Sequence, residues 1–287
     1  MAGLRTRLLH LSDLHVGSRE EEQLESGLAG LIERVDPELI VASGDLTHRG
    51  RASQHDRAAD FLQSLGPPVL AVPGNHDIPY TPLARFTRTF DQFERRWQTT
   101  EPIYRSDRLH VVGLNSVRPW RHQSGGISAA QIEQATARLA EAQPAALRVI
   151  VLHHHLLGAP WRSRKKPVSH RSRVLAGLVD AGAELILAGH IHQAAVSERH
   201  EFEVVTDEFR GTTVAIAPGL GQPRPNRRGE ARGLLVYESE EDSLSVRTYI
   251  WREDDWGLTA IRRFPRGGEP LAAQPSPAAS DLSTSGP

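Results

Sequence analysis

The stretch Val72-Pro73-Gly74-Asn75-His76-Asp77 follows an apolar run, residues 68–72, that reads as a short buried strand. Pro73 and Gly74 break that strand and force a tight turn. The turn presents Asn75, His76 and Asp77 together at a strand end. An amide oxygen, an imidazole and a carboxylate are the parts of a metal-assisted hydrolase site. Gly-Asn and His-Asp pairs also make ordinary turns, so the reading depends on whether other segments repeat the pattern.

Upstream, residues 8–12 form an apolar run that ends in Asp13-Leu14-His15. Residues 20–35 carry Leu24, Leu28, Leu31, Ile32 and Val35 at helical spacing, and Asp36-Pro37 stops them. A second strand, residues 39–42, ends in Ser43-Gly44-Asp45. A helix over 53–65 follows and leads to the 68–72 strand. Downstream, residues 81–97 read as one helix with Leu83, Phe86, Phe90, Phe93 and Trp97 on a stripe. A strand at 109–114 ends at Asn115-Ser116. Ser128-Ala129-Ala130-Gln131 is a capping-box pattern that opens a helix to about residue 142. A strand at 147–152 ends in His153-His154-His155. A helix near 174–180 and a strand at 184–188 follow, and that strand ends in Gly189-His190-Ile191-His192.

Beyond residue 192 the character changes. Short runs at 202–205, 212–217, 233–237, 243–251 and 258–264 are separated by turn residues and read as antiparallel strands. Residues 265–287 are rich in Pro, Ala, Ser and Gly and read as a disordered tail after one domain over 1–264. The early alternation predicts a mostly parallel sheet, with the later strands forming a second sheet packed on it. In such folds chemistry collects beyond the carboxyl ends of the strands. Every polar cluster named here sits at one.

The chain has 287 residues, a formal net charge of −1 and a 39% hydrophobic fraction, enough for one large core. It holds no cysteine, which excludes disulfides, thiolate nucleophiles and Cys-ligated zinc. No apolar leader precedes the first strand and no run is long enough to span a membrane, so the expected location is the cytoplasm. Histidine is plentiful, 14 residues, and several sit at strand ends, which points to metal chemistry. His10, His55, His110, His122 and His200 read instead as hydrogen-bonded surface residues.

Asp13/His15 and His190/His192 are each two apart, and in extended backbone that spacing puts both side chains on one face. Either Asp13 or Asp45 could equally cap the next helix. Five clusters at five strand ends are harder to explain by packing. Mixed oxygen and nitrogen ligands without sulfur suit manganese, iron, cobalt, nickel or zinc. The candidates exceed what one ion can use. Two ions about 3.5–4 Å apart, bridged by one carboxylate, would use them all.

The order Asp13-Leu14-His15, Gly44-Asp45, Gly74-Asn75-His76-Asp77, His154 and Gly189-His190-Ile191-His192 resembles the calcineurin-like metallophosphoesterase superfamily. The motifs span residues 13 to 192, and the resemblance extends over the chain up to the tail. It implies an α/β fold in αββα layers, a two-sheet β-sandwich flanked by helices. It implies Asp13, His15 and His192 at one metal, Asp45 bridging both, and Asn75, His154 and His190 at the second. His76 is then not a ligand but a contact to the phosphate oxygens or the leaving group. In related sequences the ligand of the third block is followed by one residue and then commonly Pro. Placing His154 there sets Leu156 in the Pro position, and His153 stays open. Asp77 could orient the His76 ring or cap the next segment. The implied cofactors are two divalent or mixed-valence ions, manganese or iron first, with zinc, cobalt or nickel as alternatives.

Residues 10–15, 43–47 and 73–79 resemble the bacterial branch that contains class III cyclic nucleotide phosphodiesterases. That implies hydrolysis of a small phosphodiester, with a 3',5'-cyclic nucleotide as one substrate. His48 departs from this branch, where an acidic residue is frequent, and it lies close to the site. The competing readings are a phosphomonoesterase or protein phosphatase, then a nuclease or a non-catalytic scaffold of the same fold. The full set of motif residues speaks against the scaffold. The basic segment 161–173, with Arg162, Arg164, Lys165, Lys166, Arg171 and Arg173, is either a lid that attracts anionic substrate or a solvated loop. Arg224, Arg227 and Arg228 form a second basic loop with the same ambiguity. Aromatic residues for base stacking are sparse there, which disfavours nucleic acid. Whether the chain is a homodimer stays open.

Overall fold

Leu39-Ile40-Val41-Ala42 and Val149-Ile150-Val151 are apolar at every position, so their strands need cover on both faces. The computed structural model, which describes residues 5–18, 22–121, 123–160, 163–198, 211–221 and 230–266, shows how that cover arises. The first sheet is built from β1 (Thr6–Leu11), β2 (Leu39–Ala42), β3 (Val69–Ala71), β10 (Gly233–Ser239), β11 (Ser243–Arg252) and β12 (Asp255–Pro265), in the order β12-β11-β10-β1-β2-β3. Strands β1, β2 and β3 run parallel; β10, β11 and β12 join them antiparallel, with Leu8 opposite Tyr237. The second sheet holds β4 (Ile103–Arg105), β5 (Leu109–Gly113), β6 (Leu147–Val151), β7 (Leu185–Ala188), β8 (Ala195–Glu198) and β9 (Thr213–Ile216), in the order β4-β5-β6-β7-β9-β8. Its four inner strands are parallel and its two edges antiparallel.

Period-two alternation sorts each strand between two cores. Leu8, Leu39, Val41, Val111, Val149, Val151, Leu185 and Leu187 meet between the sheets. Leu9, Leu11, Ile40 and Ala42 turn outward onto the helices α1 (Glu22–Val35), α2 (Ala52–Ser64) and α4 (Asp91–Trp97). Val112, Ile150 and Ile186 turn outward onto α5 (Ala129–Ala140) and α6 (Arg171–Asp180). The layers are therefore helix, sheet, sheet, helix, the α/β sandwich that the sequence resemblance implies. None of the helices among the described residues is long and apolar enough to cross a membrane.

Three expectations need correction. The early strands do not form one sheet and the late strands another. The chain builds half of the first sheet, crosses to complete the second, and returns through β10, because β1 offers its free edge to that strand. The same crossing makes β9 parallel to β7 rather than part of an antiparallel set. The helix expected over 81–97 is two short helices, α3 (Pro82–Thr87) and α4. Arg88 leaves helical geometry with φ −139° and ψ 43°. The Thr87 and Thr89 hydroxyls donate to the carbonyls of Leu83 and Arg85 and compete with the backbone ladder. Leu83 and Phe86 are 78% and 60% exposed, so the α3 half of the apolar stripe is not a core face, whereas Phe93 of α4 is buried. Ser128 and Gln131 do form the expected capping box of α5.

The strand expected at 202–205 and the tail from 267 onward lie outside the described residues. Pro265 ends β12, and Arg266 donates to Glu184 Oε1 at 2.9 Å.

Candidate metal centre

Each segment that leaves a strand at its carboxyl end must turn at once to bring a polar side chain back between the sheets. Asp13, His15, Asp45, His190 and His192 do so with positive φ, at 53°, 49°, 52°, 76° and 57°. The paired residues are thus in left-handed turns, not in the extended backbone expected from their spacing of two. Asp and His tolerate this region better than branched residues. The strain is still about 1–2 kcal/mol per residue, and such strain collects where geometry serves a function. The turns are stitched together: Asp13 N–H donates to Gly44 O at 3.0 Å and His15 N–H to Asp45 O at 2.9 Å. A Cβ on Gly74 would lie 2.2 Å from both Asp45 N and Oδ1, so the 72–77 turn can press against Asp45 only with glycine there.

Asp13, His15 and His192 bring ligand atoms within 4.8 Å of one another, and so do Asp45, His153 and His190. His192 Nε2 is 3.0 Å from Asp13 Oδ1 and 3.2 Å from His15 Nε2. His153 Nε2 is 3.3 Å from Asp45 Oδ2 and 3.2 Å from His190 Nδ1. Asp45 Oδ2 also faces the first group, 3.8 Å from His15 Nε2. Asp45 therefore stands between the two groups. A third cluster, His15, His48 and His76, borders them, with the His15 and His76 rings 4.8 Å apart.

The surrounding hydrogen bonds orient these rings. His153 Nδ1 donates to Ser43 O at 2.8 Å, which turns Nε2 toward Asp45. His190 Nε2 pairs with Gln123 O at 3.0 Å, which leaves Nδ1 bare toward His153. His76 Nδ1 lies 2.9 Å from both His48 O and Tyr80 Oη. Asp13 Oδ2 accepts from Ser12 Oγ at 2.7 Å and from His190 N–H at 2.8 Å. Asp45 Oδ1 accepts from His76 N–H at 2.8 Å.

His153, and not His154, joins the Asp45 group. His154 Nδ1 pairs with Ser116 Oγ at 2.8 Å, and its Nε2 is buried without a hydrogen bond. Strand parity explains the difference. Val149 and Val151 face the space between the sheets, so position 153 continues toward Asp45 while 154 turns to the other side. Asp77 does not touch the His76 ring. Its carboxylate accepts from Gly74 N–H, Leu46 N–H, Thr47 N–H and Thr47 Oγ, and so ties the 44–47 loop to the 72–77 turn. His10, His55 and His110 are buried rather than on the surface, outside every ligand cluster; His122 and His200 lie outside the described residues.

Burial works to raise both Asp13 and Asp45, but the histidines around them, with Lys165 beside Asp13, outweigh it and hold both below the usual carboxylate range. Burial pushes His15, His154 and His190 well below the usual histidine value, so their ring lone pairs are free of protons. His153 is the exception. Burial acts to lower it, yet Asp45 and Asp13 carry it up to about 9. That rise reports a negative field at His153, the same field that favours a cation.

The sequence model of the calcineurin-like phosphoesterase family matches residues 6–194. The chain belongs to the calcineurin-like phosphoesterase family. Among relatives of this phosphoesterase chain is a Synechococcus protein named "Probable cyclic nucleotide phosphodiesterase", 27% identical over 181 residues, which are 59% of this chain and 64% of that protein. The chain thus spans a little under two thirds of that relative. The 3',5'-cyclic adenosine monophosphate phosphodiesterase CpdA of Escherichia coli is 28% identical over 204 residues, covering 66% of this chain and 70% of CpdA. The fold is shared with a purple acid phosphatase from yellow lupin, at TM-score 0.65 and 14% identity, over 92% of this chain and 54% of the lupin chain. It is also shared with a dimetal phosphatase from Danio rerio, at TM-score 0.60 and 14% identity, over 91% and 98%.

The donors of this phosphoesterase site fit divalent cations. Asp13 Oδ1, Asp45 Oδ2 and Asn75 Oδ1 are all buried without a hydrogen bond. An unsatisfied buried polar atom costs about 1–3 kcal/mol, so several gathered in one place point to a ligand that satisfies them. Sequence reasoning left His153 open, and parity with Val149 and Val151 would have selected it. It also left Lys165 within an undifferentiated basic segment; the structure sets its Nζ 3.1 Å from His192 Nε2.

Proposed function

We propose that the chain is a phosphodiesterase that works through two metal ions. One observation carries the reading: Asp45 Oδ2 is buried, makes no hydrogen bond, and lies 3.8 Å from His15 Nε2 and 3.3 Å from His153 Nε2. A carboxylate oxygen held between two ligand groups is the arrangement that a pair of ions requires. Asp13, His15 and His192 would hold one ion; Asn75, His153 and His190 would hold the other; Asp45 would serve both. His153 would then fill the third-block position, for which the sequence motif put His154 first and left His153 open. Manganese or iron suits this oxygen and nitrogen set best. When bound, such ions lower the pKa of a water and neutralise phosphate oxygens.

The chain's own residues supply the rest. His76 stands beside the shared carboxylate, its backbone N–H bonded to Asp45 Oδ1, where its ring can stabilise or protonate a departing alkoxide. The His48 carbonyl accepts from His76 Nδ1–H and orients the ring, so that Nε2 points away from it and can donate when the ring carries a second proton. Asp77 holds the two loops in register through four hydrogen bonds. Similarity to proteins named as cyclic nucleotide phosphodiesterases favours a diester over a monoester.

The test is hydrolysis of bis(p-nitrophenyl) phosphate beside p-nitrophenyl phosphate by manganese-loaded protein. Faster cleavage of the diester is expected. Faster cleavage of the monoester would contradict the phosphodiesterase reading and point to a phosphatase.

A further inference from the structure

Arg164, Lys165 and Lys166 are consecutive and equally basic, yet the chain treats them differently. Arg164 and Lys166 are exposed, whereas Lys165 turns inward and its side chain is 22% exposed. Its Nζ lies 3.1 Å from His192 Nε2 and 3.9 Å from Asp13 Oδ1. These are two of the three side chains of the first ligand group. The segment is anchored just beyond this point: Val168 is buried and its N–H donates to His155 O at 3.1 Å, and Ser169 N–H donates to Gly125 O at 3.0 Å. Lys165 thus sits just before two anchored residues, on a flexible four-carbon stem.

An ammonium and a divalent cation cannot share the same two donor atoms, because like charges at that separation repel strongly in a partly buried site. A flexible lysine yields, and the tether keeps its charge at the mouth of the site. We propose that Lys165 is a resident counter-ion of the Asp13 and His192 pair that exchanges with the first divalent cation and then faces the anionic substrate. The same residue so competes for these ligand atoms and, once displaced, adds positive charge where a phosphodiester approaches. This inference deepens the dinuclear reading and rests on it.

The test is titration of metal-free full-length protein with Mn2+ by calorimetry, comparing wild type, Lys165→Met and Lys165→Arg. Met keeps the stem and removes the charge, so the first Mn2+ is expected to bind about fivefold more tightly or better, whereas Arg should stay near wild type. In steady-state hydrolysis of bis(p-nitrophenyl) phosphate, Lys165→Met should raise KM about fivefold with a smaller change in kcat. Unchanged Mn2+ affinity in Lys165→Met overturns the counter-ion role, and unchanged KM overturns the substrate role. Wild type that binds no Mn2+ at all would instead remove the dinuclear reading beneath both.

Discussion

His10 lies between the sheets, fully buried, with Nδ1 3.2 Å from Tyr237 Oη and Nε2 2.8 Å from Ser43 Oγ. Burial lowers it to about 3, with Asp13 opposing. A histidine whose folded pKa lies below its unfolded value of about 6.5 stabilises the fold fully only above that value. As pH falls from 6.5 toward 3 the unfolded chain takes up a proton that the folded chain refuses, and stability is lost. By pH 5 the share of His10 should reach about 2 kcal/mol. The expected result is that His10→Gln, measured by urea unfolding at pH 7.5 and pH 5, loses about 2 kcal/mol less than wild type across that interval. Equal losses would show that His10 does not carry this proton linkage. The identities of these buried histidines were legible in the sequence, but their surroundings were not. His10 reads as an ordinary histidine until Tyr237 and Ser43 close on it from distant parts of the chain. His153 was legible in principle through parity; the left-handed turns at Asp13, His15, His190 and His192 were not, because nothing local distinguishes them from a continuing strand.

Among the elements, the crossing of the 44–47 loop and the 72–77 turn governs the site. Gly44 has φ +88°, and Gly74 meets Asp45 so closely that a Cβ has no room. The atoms it would strike are backbone and a ligand carboxylate, neither of which can swing aside. Gly74→Ala is therefore expected to cost about 1–3 kcal/mol of stability and to weaken metal binding together with it. Wild-type stability with full metal content would show that the two turns have slack that the structure does not suggest. Strands β2 and β7 were legible because their apolar runs are uninterrupted, and β1, β5 and β6 because three or more of their residues are apolar. The short edge strands β4 and β8, of three and four residues, carry too few positions for a periodic signal. The break between α3 and α4 was hidden by an apolar stripe, which assigns a face but does not reveal whether that face meets a core.

At the scale of the molecule, the two ligand groups draw on both sheets. Asp13, Asp45 and Asn75 follow strands of the first sheet, and His153, His190 and His192 follow strands of the second. The centre therefore exists only when the sandwich is closed, and bound ions would stabilise the packed state by mass action. The order of motifs made the α/β sandwich legible through its resemblance. Which strands share a sheet was not, because β10 to β12 return to β1 from the far end of the chain. The most direct test of a two-ion centre built on Asp45 and His153 is metal content by elemental analysis. Wild type, His153→Ala and His154→Ala would be loaded with Mn2+ and desalted together. The expected result is about two ions per chain in wild type and in His154→Ala, and about one in His153→Ala. A single ion in wild type, or loss of an ion with His154 rather than His153, would contradict it.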